Sequence, residues 1–307
     1  MNLLITGCCG HIGSYLADNV YKIKKIKKTY IVDNLESNRF YSIFDSKKKN
    51  NLEFLIRDLK DPKSLNDLKK INYVIHLASM TNAEKSFGKK NKMYENNLQC
   101  LKTVIQFCKR RKAKLIHISS TSVYGKQAKI VDENCEEKYL KPQSPYADIK
   151  LIEEKMLKKE GNTIRYNTFR FGTISGVSKG IRFHTAVNKF CFNAATNQDI
   201  LVYKTALNQY RPYLSLKDAF KVFKFSIENN FFKNDIFNVS VLNYETFELN
   251  IYNAYGTILF STTDPEIAWD GTYKGRIVQE GVYVVTVFAI DIFGRVYNIN
   301  KNILLIK

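Results

Sequence analysis

The chain opens with short apolar runs alternating with amphipathic stretches. "NLLIT" (residues 2–6) has strand length, "GCCGHIG" follows it, and "SYLADNVYKIKK" (14–25) then repeats its apolar positions at helical spacing. Further strand-like runs are "TYIVDN" (29–34), "LEFLIRD" (52–58), "YVIHLAS" (73–79), "KLIHISS" (114–120) and "TIRYNTFRF" (163–171). Helical patterns lie between them, notably "YENNLQCLKTVIQFCKRR" (94–111). Strands alternating with helices predict an α/β protein, a Rossmann-type doubly wound parallel sheet. His76 and His117 stand inside apolar strands and read as core histidines.

From Phe247 the period changes. "FELNIYNAYGTILFS" (247–261), "GRIVQEGVYVVTVFAID" (275–291) and "GRVYNINKNILLI" (294–306) alternate apolar and polar residues between Gly, Asn and Asp turns. That pattern predicts a small all-β sandwich module, with Trp269 in its core and Asp270, Gly271 and Gly281 in turns. The expected domains are therefore 1–244, with a substrate lobe from about 173, and 245–307. Charge agrees with the division. Residues 245–307 carry 7 acidic and 5 basic residues, and the preceding 244 carry 22 and 43.

The excess of lysine reads as solvated surface, since no aromatic-interleaved basic motif accompanies it, and no nucleic-acid partner is expected. Six cysteines without metal-ligand spacing read as free thiols in a reducing compartment, with no metal. No apolar run is long enough for a membrane span. The first residues lack a basic region, and glycines interrupt the apolar stretch after Thr6, so the opening does not read as a signal peptide.

The chemistry sits at three places. Strand, glycine turn, helix is the context a dinucleotide site needs: Gly7 permits the turn, Gly10 lets backbone approach a pyrophosphate, and Gly13 allows close packing. The helix start then faces the phosphates with its positive end. Asp33 ends the next strand about 20 residues on, where a carboxylate accepts the adenosine ribose hydroxyls and repels a 2′-phosphate. NAD is thus favoured over NADP, although an Asp in this place also suits a helix cap. Lastly, "SPYADIK" puts Tyr146 and Lys150 four apart on one helix face, so a lysine cation stabilises a phenolate. Tyr146 can then act as general acid/base on a sugar hydroxyl, with Ser120 bonding the same hydroxyl.

Residues 1 to about 241 resemble the extended short-chain dehydrogenase/reductases, in particular NAD-dependent nucleotide-sugar epimerases of the UDP-glucose 4-epimerase kind. The pieces are "TGCCGHIGS", "VDNLES", "RDLKD", "HLAS", "ENNLQ", "SSTSVYG", "SPYADIK", "RFGTISG" and "RPYLSLKDA", in the family's order. The resemblance implies that Gly7, Gly10, His11, Ile12, Gly13, Asp33, Asn34, Asp58, Leu59, Ala78 and Asn97 line NAD together with Tyr146 and Lys150. It implies Ser120, Tyr146 and Lys150 as the catalytic set, and it puts Thr173, Asn188 and Arg211 on the nucleotide-sugar substrate. Thr173 stands where many members carry Asn. Related 4,6-dehydratases have an acidic pair after the serine, where this chain has Thr121 and Ser122, and related decarboxylases have a Glu there. Elimination leaves epimerisation, with a sugar-nucleotide reductase as the alternative. A homodimer stays open.

The last 60 or so residues resemble the sorting modules of gliding-motility-associated proteins, which serve type IX secretion. "IYNAYGTILF", "WDGTYKG", "EGVYVV" and "DIFGRVYNINKNILLI" carry the likeness. Extended family members continue past "IFNVS" to complete a substrate lobe, and this chain leaves that path near Asn243–Tyr244. The expectation is a cytoplasmic enzyme with a truncated lobe, fused to the tail of an unrelated surface protein. Two alternatives stand beside it: a β-module that completes the lobe, and a surface or sorting protein in which the Rossmann part is passive.

Overall fold

The computed structural model describes residues 1–44, 51–81, 90–126, 131–183, 185–202, 212–240, 244–264, 267, 269–291 and 296–305. Apolar runs at strand length become β1 (Asn2–Thr6), β2 (Lys28–Asp33), β3 (Leu52–Ile56), β4 (Tyr73–His76), β5 (Lys114–Ser120) and β6 (Tyr166–Phe171). Short β7 (Thr173–Ser175) and β8 (Tyr213–Ser215) pair in a separate parallel ladder, and β9 (Asp235–Val239) returns to the main sheet. That sheet has seven strands in the order β3-β2-β1-β4-β5-β6-β9, every pair parallel.

Alternate residues of each strand face opposite sides, and the core divides accordingly. Leu3 and Ile5 of β1 pack with Leu16 of α1 (His11–Asn19) and with Phe220 and Phe223 of a C-terminal helix, Leu216–Glu228. Leu4 packs on the other face with Leu101, Val104 and Phe107 of α2 (Lys90–Arg111) and Leu157 of α3 (Pro145–Lys159). The helix Ala186–Ala195 is α4, and Leu216–Glu228 is α5. Both sheet faces are thus covered, as an all-parallel sheet requires. The order reverses between β1 and β4, which opens a crevice at the carboxyl ends of these strands.

Several boundaries differ from the pattern, and two of them have a local cause. The helix expected to run to Lys25 stops at Asn19 and continues as one tight turn, Val20–Lys22. Asn19 turns its amide back onto the Tyr15 carbonyl (2.8 Å) and accepts from Lys22, a side chain competing with the helical backbone. The strand expected from Thr163 begins at Tyr166, because Thr163 and Ile164 close a turn onto the Glu160 carbonyl.

The second unit, residues 242–307, is all β. Strands β10 (Tyr244–Tyr252), β11 (Ile258–Thr262), β14 (Gly281–Asp291) and β15 (Val296–Leu305) form an antiparallel sheet in the order β11-β10-β14-β15. Between them β12 (Thr272–Tyr273) and β13 (Arg276–Ile277) make a two-stranded hairpin. The β10–β11 turn is held by Asn253, whose side chain accepts from the Tyr255 and Thr257 amides. Trp269 is half-buried: its indole N–H donates to the Thr272 carbonyl (2.8 Å), and its ring meets Tyr283 edge-on at 5.3 Å.

Chain contacts divide the protein into residues 1–241 and 242–307. We propose that these are separately folding domains. Limited proteolysis is expected to cut between about residues 241 and 247 and to release a stable fragment of about 60 residues. Mass spectrometry reads the cut. One cooperative unfolding transition with no such fragment contradicts the proposal.

Candidate active site

The glycine turn grows out of β1. Gly7 has φ +71°, and a Cβ on it would sit 2.6 Å from the Ala78 amide nitrogen, at the far side of the crevice after β4. Only glycine serves there. Gly13, in the first turn of α1, lies so close to the Gly7 carbonyl that a Cβ would come within 2.3 Å of it. The turn is therefore packed tightly by its glycines and opens on the start of α1. His11 and Gly13 are buried and Ile12 is half-buried.

Asp33 ends β2 beside this turn. Its carboxylate accepts from the Cys9 amide (3.0 Å) and the Leu35 amide (3.0 Å), one on each oxygen, which leaves lone pairs for a ribose. Cys8 and Cys9 are buried here with their sulfurs within 4.8 Å of that carboxylate. The hydrogen bond with Cys9, then burial, pushes the Cys8 thiol up. Asn34 is exposed, Asp58 is half-buried with its carboxylate accepting from the Lys60 amide (2.9 Å), and Leu59 is buried. Asn97 is wholly buried and pins the loop after Ala78. It accepts from the Met80 amide (2.8 Å) and donates to the Met80 carbonyl (3.0 Å). Glycine cradle, helix start and strand-end carboxylate fit a dinucleotide. NADP is expected to bind at least about tenfold more weakly than NAD, because Asp33 faces its 2′-phosphate. Calorimetry with both cofactors checks this; equal affinity contradicts it.

Across the crevice, Ser144 caps α3, accepting from the Ala147 amide (3.3 Å), and Pro145 takes the first helical position. That start fixes Tyr146 and Lys150 on adjacent turns, with the Lys150 Nζ 5.8 Å from the Tyr146 ring centroid. Ser120 ends β5, and its hydroxyl accepts from the Ser122 amide (3.2 Å) and hydroxyl (2.9 Å).

Beneath this pair lies a cluster that sequence spacing did not reveal. Buried Lys150 donates to Glu153 (2.7 Å), and the same carboxylate oxygen accepts from His117 Nε2 (3.0 Å). Burial keeps the His117 ring neutral. Because it donates through Nε2, its Nδ1 is the acceptor for the Thr168 hydroxyl (3.3 Å). Burial pulls Lys150 down, but Glu153 and Tyr146 outweigh it and hold the ammonium above its ordinary value. A second buried pair, Arg170 and Glu154, is joined by two bonds (2.9 and 2.7 Å), with Ser119 and Tyr124 bonded to it. His76 is buried and bonded to the Thr6 hydroxyl (2.8 Å), and burial drops it to about 3.

Of the expected substrate residues, Thr173 lies half-buried on β7. Asn188 is buried, accepting from the Gly176 amide (3.2 Å) and donating to the Arg182 carbonyl (3.0 Å). Arg211 lies outside the described residues.

A seven-stranded parallel sheet with a glycine cradle at its switch point and a Tyr–Lys pair across the crevice is a Rossmann-class dinucleotide-binding fold. Residues 3–240 match the NAD dependent epimerase/dehydratase family, and the chain belongs to that family, with NAD as its cofactor. Residues 222–302 match the CHU_C Type IX secretion signal domain. Among relatives, a dTDP-D-glucose 4,6-dehydratase of Dictyostelium discoideum is 28% identical over 72% of this chain and 54% of its own length. An ADP-L-glycero-D-manno-heptose-6-epimerase of Brachyspira hyodysenteriae is 25% identical over 89% of this chain and 86% of its own. A solved UDP-N-acetylglucosamine 4-epimerase from Methanobrevibacter ruminantium, in complex with UDP-N-acetylmuramic acid, is 26% identical. It covers 78% of this chain and 76% of its own, with TM-score 0.68. The chain spans about half the length of the first of these relatives.

Proposed function

We propose that the chain epimerises a nucleotide sugar, in the manner of a UDP-glucose 4-epimerase, by transient oxidation to a keto-sugar. Bound NAD supplies the hydride acceptor. Tyr146, as phenolate, takes the proton of the sugar hydroxyl, and buried Lys150 stabilises that phenolate. Ser120 orients the same hydroxyl. Once the keto-sugar has turned, Tyr146 returns the proton to the developing alkoxide. Thr173, Asn188 and Arg211 are assigned to the nucleotide sugar on the family resemblance.

The observation that carries this reading is the stretch Ser120–Thr121–Ser122. The catalytic serine is followed by two hydroxyls, neither of which moves the protons that loss of water from the sugar requires. The epimerases among the relatives support it, and the dehydratase among them keeps elimination as the rival chemistry. Incubation of the purified full chain with UDP-glucose and UDP-galactose, separated by chromatography, tests it. Interconversion in both directions is expected; a reduced sugar formed at the expense of added NADH would favour the reductase instead.

A second reading is favoured by the match of residues 222–302: this region acts as a type IX sorting signal for the chain that carries it. Fractionation of the producing cells separates the two readings, with retention in the cytoplasm expected for a metabolic enzyme and arrival at the surface for sorted cargo.

A further inference from the structure

The segment after β7 is strapped onto the start of α1. The His11 ring donates from Nε2 to the Gly176 carbonyl (2.8 Å), and the Ser178 hydroxyl donates to the His11 carbonyl (2.8 Å). The Gly180 amide donates to the Ser14 hydroxyl (2.9 Å), which itself donates to Ser178 (3.2 Å). The strap lies so close that a Cβ on Gly180 would come within 2.5 Å of the Gly10 carbonyl and 2.6 Å of the Cys9 carbonyl. On its other side Asn188 holds both ends of the strap, at the Gly176 amide and the Arg182 carbonyl.

This fastening delivers Arg182 to the glycine cradle. Its Nη2 lies 3.9 Å from where a Cβ on Gly10 would stand, and its Nη1 donates to the Thr81 hydroxyl, across the crevice after β4. The guanidinium thus bridges the two walls of the switch-point crevice directly over the helix start. Arg39 is near enough to press on it: burial, then Arg39, brings Arg182 down to about 10. Burial, with Arg182 and Arg39, also holds His11 neutral. The Arg182 guanidinium and a helix N-terminus therefore meet at Gly10. Among the described residues neither arginine is ion-paired. Such a concentration of positive charge calls for an anion.

We propose that Arg182 clamps the pyrophosphate of the dinucleotide onto the glycine turn, so that the phosphate site is made jointly by the β1–α1 turn and the strap from the substrate lobe. The proposal rests on NAD binding at this cradle. The diphosphate of a nucleotide sugar has the same chemistry, but Arg182 stands at Gly10, on the cofactor's turn, so the cofactor is its ligand.

The test is calorimetric titration of the full chain with NAD and, separately, with UDP-glucose, each at low and high salt. Absence of NAD binding to the unaltered chain would overturn the cofactor reading, and the clamp with it. With binding established, Arg182→Ala is expected to weaken NAD by about tenfold to a hundredfold, the range for a lost charged hydrogen bond. Its NAD affinity should also depend less on salt, UDP-glucose affinity should be unchanged, and Arg182→Lys should recover part of the loss. An NAD affinity within about twofold of the unaltered chain, or a loss that falls on UDP-glucose, overturns the clamp. If Arg182→Ala does not fold, Arg182→Gln and Arg182→Lys keep the packing and decide by the same titrations.

Discussion

Tyr146→Phe is expected to slow epimerisation by about 10²- to 10⁴-fold, the usual cost of a missing general acid/base, while NAD remains bound. The phenylalanine ring keeps the ring of Tyr146 at the start of α3, 5.8 Å from the Lys150 Nζ, and loses only the phenol oxygen. No phosphate contact is removed, so the cofactor affinity should stand. Product formation by chromatography, with NAD binding by calorimetry on the same sample, measures both halves. A variant with near-normal turnover would mean that another group carries the proton.

Glu153→Gln is expected to destabilise the Rossmann unit by about 3–5 kcal/mol at neutral pH, the cost of leaving a buried charge without its partner. Lys150 and Glu153 are both buried, and the amide that replaces the carboxylate cannot compensate the ammonium. The pH dependence has a definite sign. Burial pushes Glu153 up, but Lys150 and His117 prevail and hold it down to about 2, below its unfolded value of about 4.3. A depressed carboxylate contributes its stability above the unfolded value and loses it as pH falls through the folded one. Urea unfolding should therefore show stability falling from about pH 4 toward pH 2, and this contribution to the slope should vanish in Glu153→Gln. Wild-type stability in the variant at pH 7 would contradict the account of the cluster.

What could be read along the chain was local. Gly7, Gly10 and Gly13 followed an apolar run and opened a helix, and Asp33 closed the next run; each needs only its own turn to be recognised. Tyr146 and Lys150 announced themselves by helical spacing after a Ser-Pro start. The β10–β15 region was legible through its alternation, with a sheet of three long strands and one shorter strand as the outcome. The cluster under Lys150 was not legible. His117 is indeed buried, but its partner Glu153 lies 36 residues away, and the pairing exists only because α3 packs over β5. Arg182 is 172 positions from Gly10, so nothing near either residue signals the other; only the strap brings them together. Residues whose function depends on their own turn are visible in sequence, and residues recruited across layers are not.

The most direct measurement is the proton spectrum of UDP-galactose incubated in D2O with the purified full chain. Inverting one carbon by moving a hydride off it and back exchanges no carbon-bound hydrogen with solvent and changes no mass. The expected result is a mixture of UDP-galactose and UDP-glucose, both free of deuterium on carbon. A product that has lost the mass of one water and carries solvent deuterium would mean that the crevice eliminates water instead, and that Tyr146 serves a dehydratase.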